Sequence, residues 1–377
     1  MLPFLRPELA ALKAYKPHPP SPHPVDILDT NESPLDLPDE LKAKLAAEYQ
    51  QAIAVNRYPD GSHQALKQAL VTYVGEALAD DDAVLTPDHL SVGNGSDELI
   101  RLLLIATCLG TGQGILTATP TFSMYGLLAQ TLGIPVVTVA RRESDFSVDL
   151  GAAQQAIDQG TIRVVFMVHP NSPTGNALTA AERQWLRTLP ESVLVVVDEA
   201  YFEFCQHTTL ADALTRPNWV ILRTFSKAFR LAAHRVGYAI AHPGMVEALE
   251  KVRLPYNLPS FSQAAAQVAL ANRQGLLDAI VTLLTERERI QSDWQDFPAL
   301  RLWPSKANFI YARLTDQDRF GPDLAAADWA AGHRALHQRL LPLGTLIRHT
   351  GGGLRFTVGT PEENQRTYRN LAKIFAS

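Results

Sequence analysis

Four short runs dominated by apolar, mostly β-branched residues punctuate the middle of the chain: GILTA at 114–118, RVVFMV at 163–168, VLVVV at 193–197 and WVIL at 219–222. None alternates apolar with polar positions, so each reads as a strand buried on both faces, as in a largely parallel sheet. Stretches with helical spacing lie between them, for instance AERQWLRTL at 181–189. Repeated strand–helix units predict a large α/β domain over residues 31–255, with right-handed crossovers. After about 256 the pattern changes. Long helical stretches there precede NFIYARL (308–314) and GLRFTVG (353–359), which read as antiparallel strands of a smaller α+β domain over 256–377. The first thirty residues contain KPHPPSPHP at 16–24, which predicts an extended amino-terminal arm over 1–30.

Length agrees with two domains, since 377 residues exceed what one hydrophobic core usually serves. A hydrophobic content of 46% with 19% charged residues is ordinary for a globular protein. The net charge of −5 gives no electrostatic reason to expect nucleic acid or an acidic membrane as partner. The apolar runs are too short to span a bilayer, and MLPFLRPELA lacks the apolar core of a secretory signal. A cytoplasmic protein is expected. Cys108 and Cys205 cannot build a disulfide framework and are expected to be buried and inert; no His/Cys cluster reads as a metal site.

In open parallel sheets, ligands bind beyond the carboxyl ends of the strands. Each expected strand here runs into reactive or turn-forming residues: TPTF (119–122), HPNSPTG (169–175), DEAYFEF (198–204) and RTFSK (223–227). A fifth segment, SVGNGSDELIRLLLIATCL (91–109), has small residues opening an apolar helix, with Ser96 or Asn94 placed to cap it. Free N–H groups at such a start suit phosphate. Lys227 stands between small and aromatic neighbours, with Arg235 eight residues on. An amine in apolar surroundings loses its proton readily and becomes a nucleophile. Lysine condenses with carbonyl compounds, and pyridoxal phosphate is the carbonyl cofactor that acts as an electron sink. Its needs match the parts present. Asp198 can hold the pyridinium proton, the GNGSD helix start with Arg235 can hold the phosphate, Asn171 and Tyr201 can reach the ring oxygen, and Phe122 can stack on the ring.

These motifs resemble the pyridoxal-phosphate aminotransferases of fold type I, and within that family the histidinol-phosphate branch. The likeness runs from LDTNESP (28–34) and NRYPDGSHQALKQAL (56–70) through NSPTG, DEAYFEF, TFSKAF and KVRLPYN (251–257) to LRFTVGTPEENQ (354–365). It implies a large domain with a seven-stranded, mainly parallel sheet and a smaller carboxyl-terminal domain. It implies Lys227, Asp198 and Tyr201 as catalytic residues, and pyridoxal 5′-phosphate held by Gly95, Ser96, Asp97, Phe122, Asn171, Thr224, Ser226 and Arg235. The ring-oxygen donor falls on Asn171 or its neighbour, because many family members carry Asn where this chain has Ser172. Tyr58 resembles a residue that reaches the partner subunit's cofactor, which implies a homodimer. Arg355 matches the family's carboxylate-binding arginine, Arg348 the arginine that reads a substrate phosphate, and Tyr15 a tyrosine that closes over the substrate. Arg230 departs from the family, which usually has a small residue there; it points either to solvent or to the cofactor rim. His234 reads as packing or surface.

The reaction implied is amino transfer from L-histidinol phosphate to 2-oxoglutarate, yielding imidazole acetol phosphate and L-glutamate in histidine biosynthesis. The same fold also supports decarboxylation of threonine phosphate and transamination of aromatic or other amino acids. A non-catalytic regulator on this fold would need an amino-terminal DNA-binding domain, for which thirty proline-rich residues are too few.

Overall fold

The four apolar runs become neighbouring strands at the centre of one sheet. The computed structural model describes residues 25–78, 84–315 and 329–376, with positions 2, 4–6, 9 and 12 ahead of them. Tyr15 and the proline-rich stretch 16–24 lie outside the described residues. The sheet strands are β1 (Leu90–Asn94), β2 (Gly114–Thr119), β3 (Val136–Ala140), β4 (Ile162–Val168), β5 (Leu194–Asp198), β6 (Trp219–Thr224) and β7 (Val236–Ala241). Their order across the sheet is β1-β7-β6-β5-β4-β2-β3, seven strands in all. Only β7 runs against the others, pairing antiparallel with both β1 and β6. The fold class is α/β, as the pattern predicts.

Burial on both faces explains why the runs do not alternate. Along β4, Val165 and Met167 join one apolar cluster, while Val164, Phe166 and Val168 join another on the opposite face. Val195 and Val197 of β5 divide from Leu194 and Val196 in the same way. Each such side chain contributes roughly 1.5–3 kcal/mol by leaving water, so helices must cover both faces.

The second sheet is fully antiparallel. It consists of β8 (Leu300–Trp303), β9 (Phe309–Leu314), β10 (Arg348–Thr350) and β11 (Gly353–Thr357), in the order β10-β11-β9-β8. The segment at 26–27, at the end of the expected arm, pairs in parallel with Thr345–Leu346, and Leu28 enters the smaller unit's core. Helix Ser260–Ala271 follows the expected division at 256, yet it packs Ala265, Ala266, Ala269 and Leu270 into the larger unit's cluster.

Two local expectations are corrected. Residues 90–94 form strand β1, and the helix begins at Gly95 with no side-chain cap from Asn94, whereas Ser96 is its second residue. The helix start is instead tied by Glu98, which accepts from the Asn94 N–H and from Asn257 Nδ2. Cys108 is buried as expected, but Cys205 is only half-buried, because it ends the short helix Phe202–Cys205 at the edge of the core.

A buried ion pair braces the strand ends that carry the chemistry. Arg223 Nη2 in β6 lies 2.8 Å from Glu199 Oε2, just beyond β5, and both are buried. The guanidinium also sits 3.6 Å over the Phe202 ring, and Glu199 Oε1 accepts the Thr209 N–H at 2.7 Å. Removing one partner of such a pair strands the other charge and costs about 3–5 kcal/mol. Arg223→Met should therefore lower the unfolding free energy of the cofactor-free protein by that amount in denaturant titration. A loss below about 1 kcal/mol would show that the threonine contacts suffice to hold the carboxylate.

Candidate active site

The carboxyl ends of β2, β4, β5 and β6 and the β10–β11 edge of the smaller sheet enclose a cavity of about 420 Å³. Its size suits a small ligand. Lys227, three residues past β6, projects its amine into it, and Nζ donates to the Thr30 carbonyl at 2.7 Å. Burial first, and the Arg355 guanidinium second, push this amine down to about 8. Desolvation and like charge both penalise the ammonium form.

Asp198 closes β5 at the cavity floor. Its Oδ2 accepts from the Tyr125 hydroxyl at 2.6 Å, and its Oδ1 from the Ala200 N–H at 3.1 Å. Burial pushes its carboxyl up to about 6, against the opposing pull of the Tyr125 hydrogen bond. Tyr201 is buried beside it, accepting from Asn31 Nδ2 at 2.8 Å and hydrogen-bonded with Ser172. Burial pushes its phenol up from the usual tyrosine range. Phe122 forms a wall, its ring meeting Tyr125 edge-on at 5.5 Å.

At one end the start of helix Gly95–Thr107 offers N–H groups with no intrahelical partner. Ser96, Asp97, Thr224, Ser226 and Arg235 line the cavity around it. Arg235 Nη2 donates to Asp97 Oδ2 at 3.2 Å, and Thr224 Oγ1 donates to Ser226 Oγ at 3.0 Å. Close approach fixes two glycines here. Gly95 has φ +73° and a Cβ on it would lie 2.7 Å from Arg235 Nη2. A Cβ on Gly237 would lie 2.6 Å from the Ser96 nitrogen. The seat needs both glycines to form.

At the other end stand two arginines. Arg348 on β10 and Arg355 on β11 are direct cross-strand partners, and both line the cavity. Arg355 Nη1 donates to Ser172 Oγ at 3.0 Å and Nη2 to the Asp29 carbonyl at 2.6 Å. Its guanidinium lies 5.5 Å from the Phe309 ring centre.

Three sequence-derived residues stand elsewhere. Asn171 is buried outside the cavity: its Nδ2 donates to the Pro120 carbonyl at 3.1 Å and to Thr174 Oγ1 at 2.6 Å. Its Oδ1 accepts from Thr121 Oγ1 and Arg141 Nη2. Both amide protons are committed to the turn, and its neighbour Ser172 faces the cavity instead. Tyr58 is 81% exposed and stacks on Tyr256 at 4.7 Å. Arg230 is half-buried on the solvent side and does not line the cavity; it donates to the carbonyls of Asp36 and Leu276, each at 3.1 Å. Its φ of +59° lies in the left-handed region, which favours a small residue. His234 packs against Phe261, as read from the sequence.

Sequence reasoning missed Tyr125, Asn31 and the carbonyls of Asp29 and Thr30. Tyr125 follows Phe122 by three residues, and that spacing was the available signal, although Phe122 stands two residues ahead of helix Met124–Thr131. LDTNESP carried no chemical pattern that would reveal main-chain acceptors.

The donor set fits pyridoxal 5′-phosphate. An amine near 8, a buried carboxylate, an aromatic wall and a glycine-shaped helix start beside an arginine occur in one cavity. No group of three or more His, Cys, Asp or Glu that could hold a metal occurs among the described residues. No helix among them is long and apolar enough to cross a membrane.

Comparison with known proteins agrees with this arrangement. The chain is 58% identical to the histidinol-phosphate aminotransferase of Trichodesmium erythraeum (strain IMS101), over 100% of both chains. It is 57% identical to histidinol-phosphate aminotransferase 2 of Nostoc sp. (strain PCC 7120 / SAG 25.82 / UTEX 2576), over 98% of this chain and 97% of that one. The crystal structure of histidinol-phosphate aminotransferase from Sinorhizobium meliloti in complex with pyridoxal-5′-phosphate superposes with a TM-score of 0.83 at 22% identity. That alignment covers 100% of this chain and 98% of the other and shows a shared fold. Residues 25–371 match the family described as aminotransferase class I and II, and the chain belongs to that family.

Proposed function

We propose that the chain is a pyridoxal-phosphate-dependent transaminase acting in histidine biosynthesis. It moves the amino group of L-histidinol phosphate onto 2-oxoglutarate, giving imidazole acetol phosphate and L-glutamate. The observation that carries the substrate reading is the cross-strand pair Arg348–Arg355 in the cavity of Lys227. One substrate bears a phosphate and no carboxylate, whereas the other bears two carboxylates. A guanidinium fork pairs with either anion through two hydrogen bonds. The names of the relatives at 58% and 57% identity support the same substrate.

When bound, the cofactor supplies the electron sink that lets a proton leave the nitrogen-bearing carbon of the substrate. Asp198 would hold the proton on the pyridine nitrogen. Tyr201 would donate to the ring oxygen, with Ser172 in the neighbouring position that the Asn171 amide leaves open. Phe122 would pack against the ring. The N–H groups of Gly95, Ser96 and Asp97, with Thr224, Ser226 and Arg235 as side-chain donors, would hold the phosphate. Lys227 would anchor the cofactor, and its free amine would take the proton from the substrate carbon and return it. An amine near 8 serves that task close to neutral pH.

The enzyme works as a cytoplasmic homodimer in this reading. Tyr58 is 81% exposed in the single chain, with exposed Val55, Leu254 and Tyr256 also presenting apolar surface. Such surface suits a partner, and Tyr58 then reaches the partner subunit's cofactor phosphate.

Removing one charge-assisted contact costs roughly 1.5–3 kcal/mol, about ten- to a hundred-fold in kcat/KM. Arg355→Ala should weaken both half-reactions by that factor, whereas Arg348→Ala should penalise histidinol phosphate more than glutamate. Steady-state kinetics with each amino donor checks this, and equal turnover of histidinol and its phosphate would refute the substrate assignment. Tyr58→Phe and Lys227→Ala subunits, unfolded together and refolded, should regain activity, because one site in each hybrid holds both native residues. Hybrids that form without recovering activity would place Tyr58 in its own subunit's chemistry.

A further inference from the structure

Tyr125 is fully buried beneath the cavity, on helix Met124–Thr131, and its phenol reaches the floor carboxylate. Its ring is held on two sides. It stacks on Phe166 with centroids 4.6 Å apart and planes 13° from parallel, and Phe122 meets it at 82°. A ring gripped this way cannot swing its hydroxyl away from Asp198 without breaking both contacts. The O–H therefore points at Asp198 Oδ2, at 2.6 Å, while the Ala200 N–H occupies Oδ1.

We propose that Tyr125 is a positioning residue, which aims the Asp198 carboxylate at the cofactor's pyridine nitrogen and keeps it ionised by standing donation to Oδ2. The inference rests on the aminotransferase reading above. Burial favours the neutral carboxyl, and hydrogen bonds to the charged form favour the carboxylate. Asp198 sits at about 6 under these opposed effects, with Tyr125 the largest of those that lower it. The other acids near it, Asp97 and Glu199, both disfavour its charge. Tyr201 lies alongside, and Lys227 and Arg235 line the same cavity. Burial holds the Tyr125 phenol far above the usual tyrosine range, so it stays neutral and acts only as a donor toward Asp198. Without that donor the carboxyl becomes the stronger base and draws the proton off the ring nitrogen. Phe122 adds a second link, since the residue that walls the ring and the residue that sets the acid touch each other.

The test uses binding rather than turnover. Pyridoxal 5′-phosphate is titrated into cofactor-free wild type, Tyr125→Phe and Asp198→Asn from acid to neutral pH, with affinity read by equilibrium dialysis. Phenylalanine keeps the ring and both aromatic contacts, so the fold is retained. Wild-type affinity should fall on acidification with a midpoint near 6, as Asp198 takes up its proton. In Tyr125→Phe that midpoint should move up by about one pH unit or more, the effect of losing one hydrogen bond to a charged acceptor. Asp198→Asn should lack this contribution and keep only those of Lys227 and of the phosphate itself. A Tyr125→Phe midpoint equal to wild type, with affinity lowered evenly at every pH, would mean that Tyr125 merely packs, and would overturn the proposal. An acid limb in Asp198→Asn as steep as that of wild type would overturn it as well. Wild type that binds no cofactor at any pH would instead defeat the aminotransferase reading on which the proposal stands.

Discussion

The site depends on keeping one amine close to neutrality inside a cavity that must also hold anions. Anion seats are made of cations and N–H groups, and cations depress a neighbouring amine. Here the two demands coincide. Arg355 and Arg235, needed for the anions, both lower Lys227, and burial does the rest. Asp198 shares the opposite problem: the burial that makes an ion pair strong also discourages the carboxylate from ionising. Tyr125 and the Ala200 N–H offset that cost with two donors.

Main-chain acceptors of the segment at 29–30 hold these groups in place. Lys227 Nζ donates to the Thr30 carbonyl, Arg355 Nη2 to the Asp29 carbonyl, and Asn31 donates to Tyr201. Asn31 is itself fixed to the smaller sheet, since its N–H donates to Thr357 Oγ1 and its carbonyl accepts from Asn308 Nδ2. Three consecutive residues thus connect the lysine of the larger unit to the arginine of the smaller one. The same residues lie just after the short pairing of 26–27 with Thr345–Leu346, which sets their register.

Much of this was legible from the chain because strongly patterned elements report on themselves. The runs at 163–168, 193–197 and 219–222 have apolar residues on both strand faces, and only a doubly covered sheet buries both. Their polar ends then had to meet at one edge. Less patterned pieces escaped notice. Strand Leu90–Asn94 is only five residues long, with small and polar positions that read as a helix start. The reversed strand Val236–Ala241 lay hidden behind the lysine and arginine motifs. The choice between Asn171 and Ser172 could not be made from adjacent letters, because it depends on which amide protons the turn consumes. Arg348 and Arg355 were recognised singly, while their cross-strand pairing follows from register, which hydrophobic pattern does not specify across a short, partly exposed edge strand.

The most direct measurement is the protonation of Lys227 in the cofactor-free protein. Trace labelling with an amine-selective acylating reagent at increasing pH, followed by peptide mapping, gives the titration of that one amine. The account predicts a midpoint near 8, well below the 10.5 of an ordinary lysine. In Arg355→Ala, which removes the largest like-charge contribution, the midpoint should rise. A Lys227 that titrates at 10.5 and ignores Arg355 would contradict the claim that this cavity is built around a near-neutral amine.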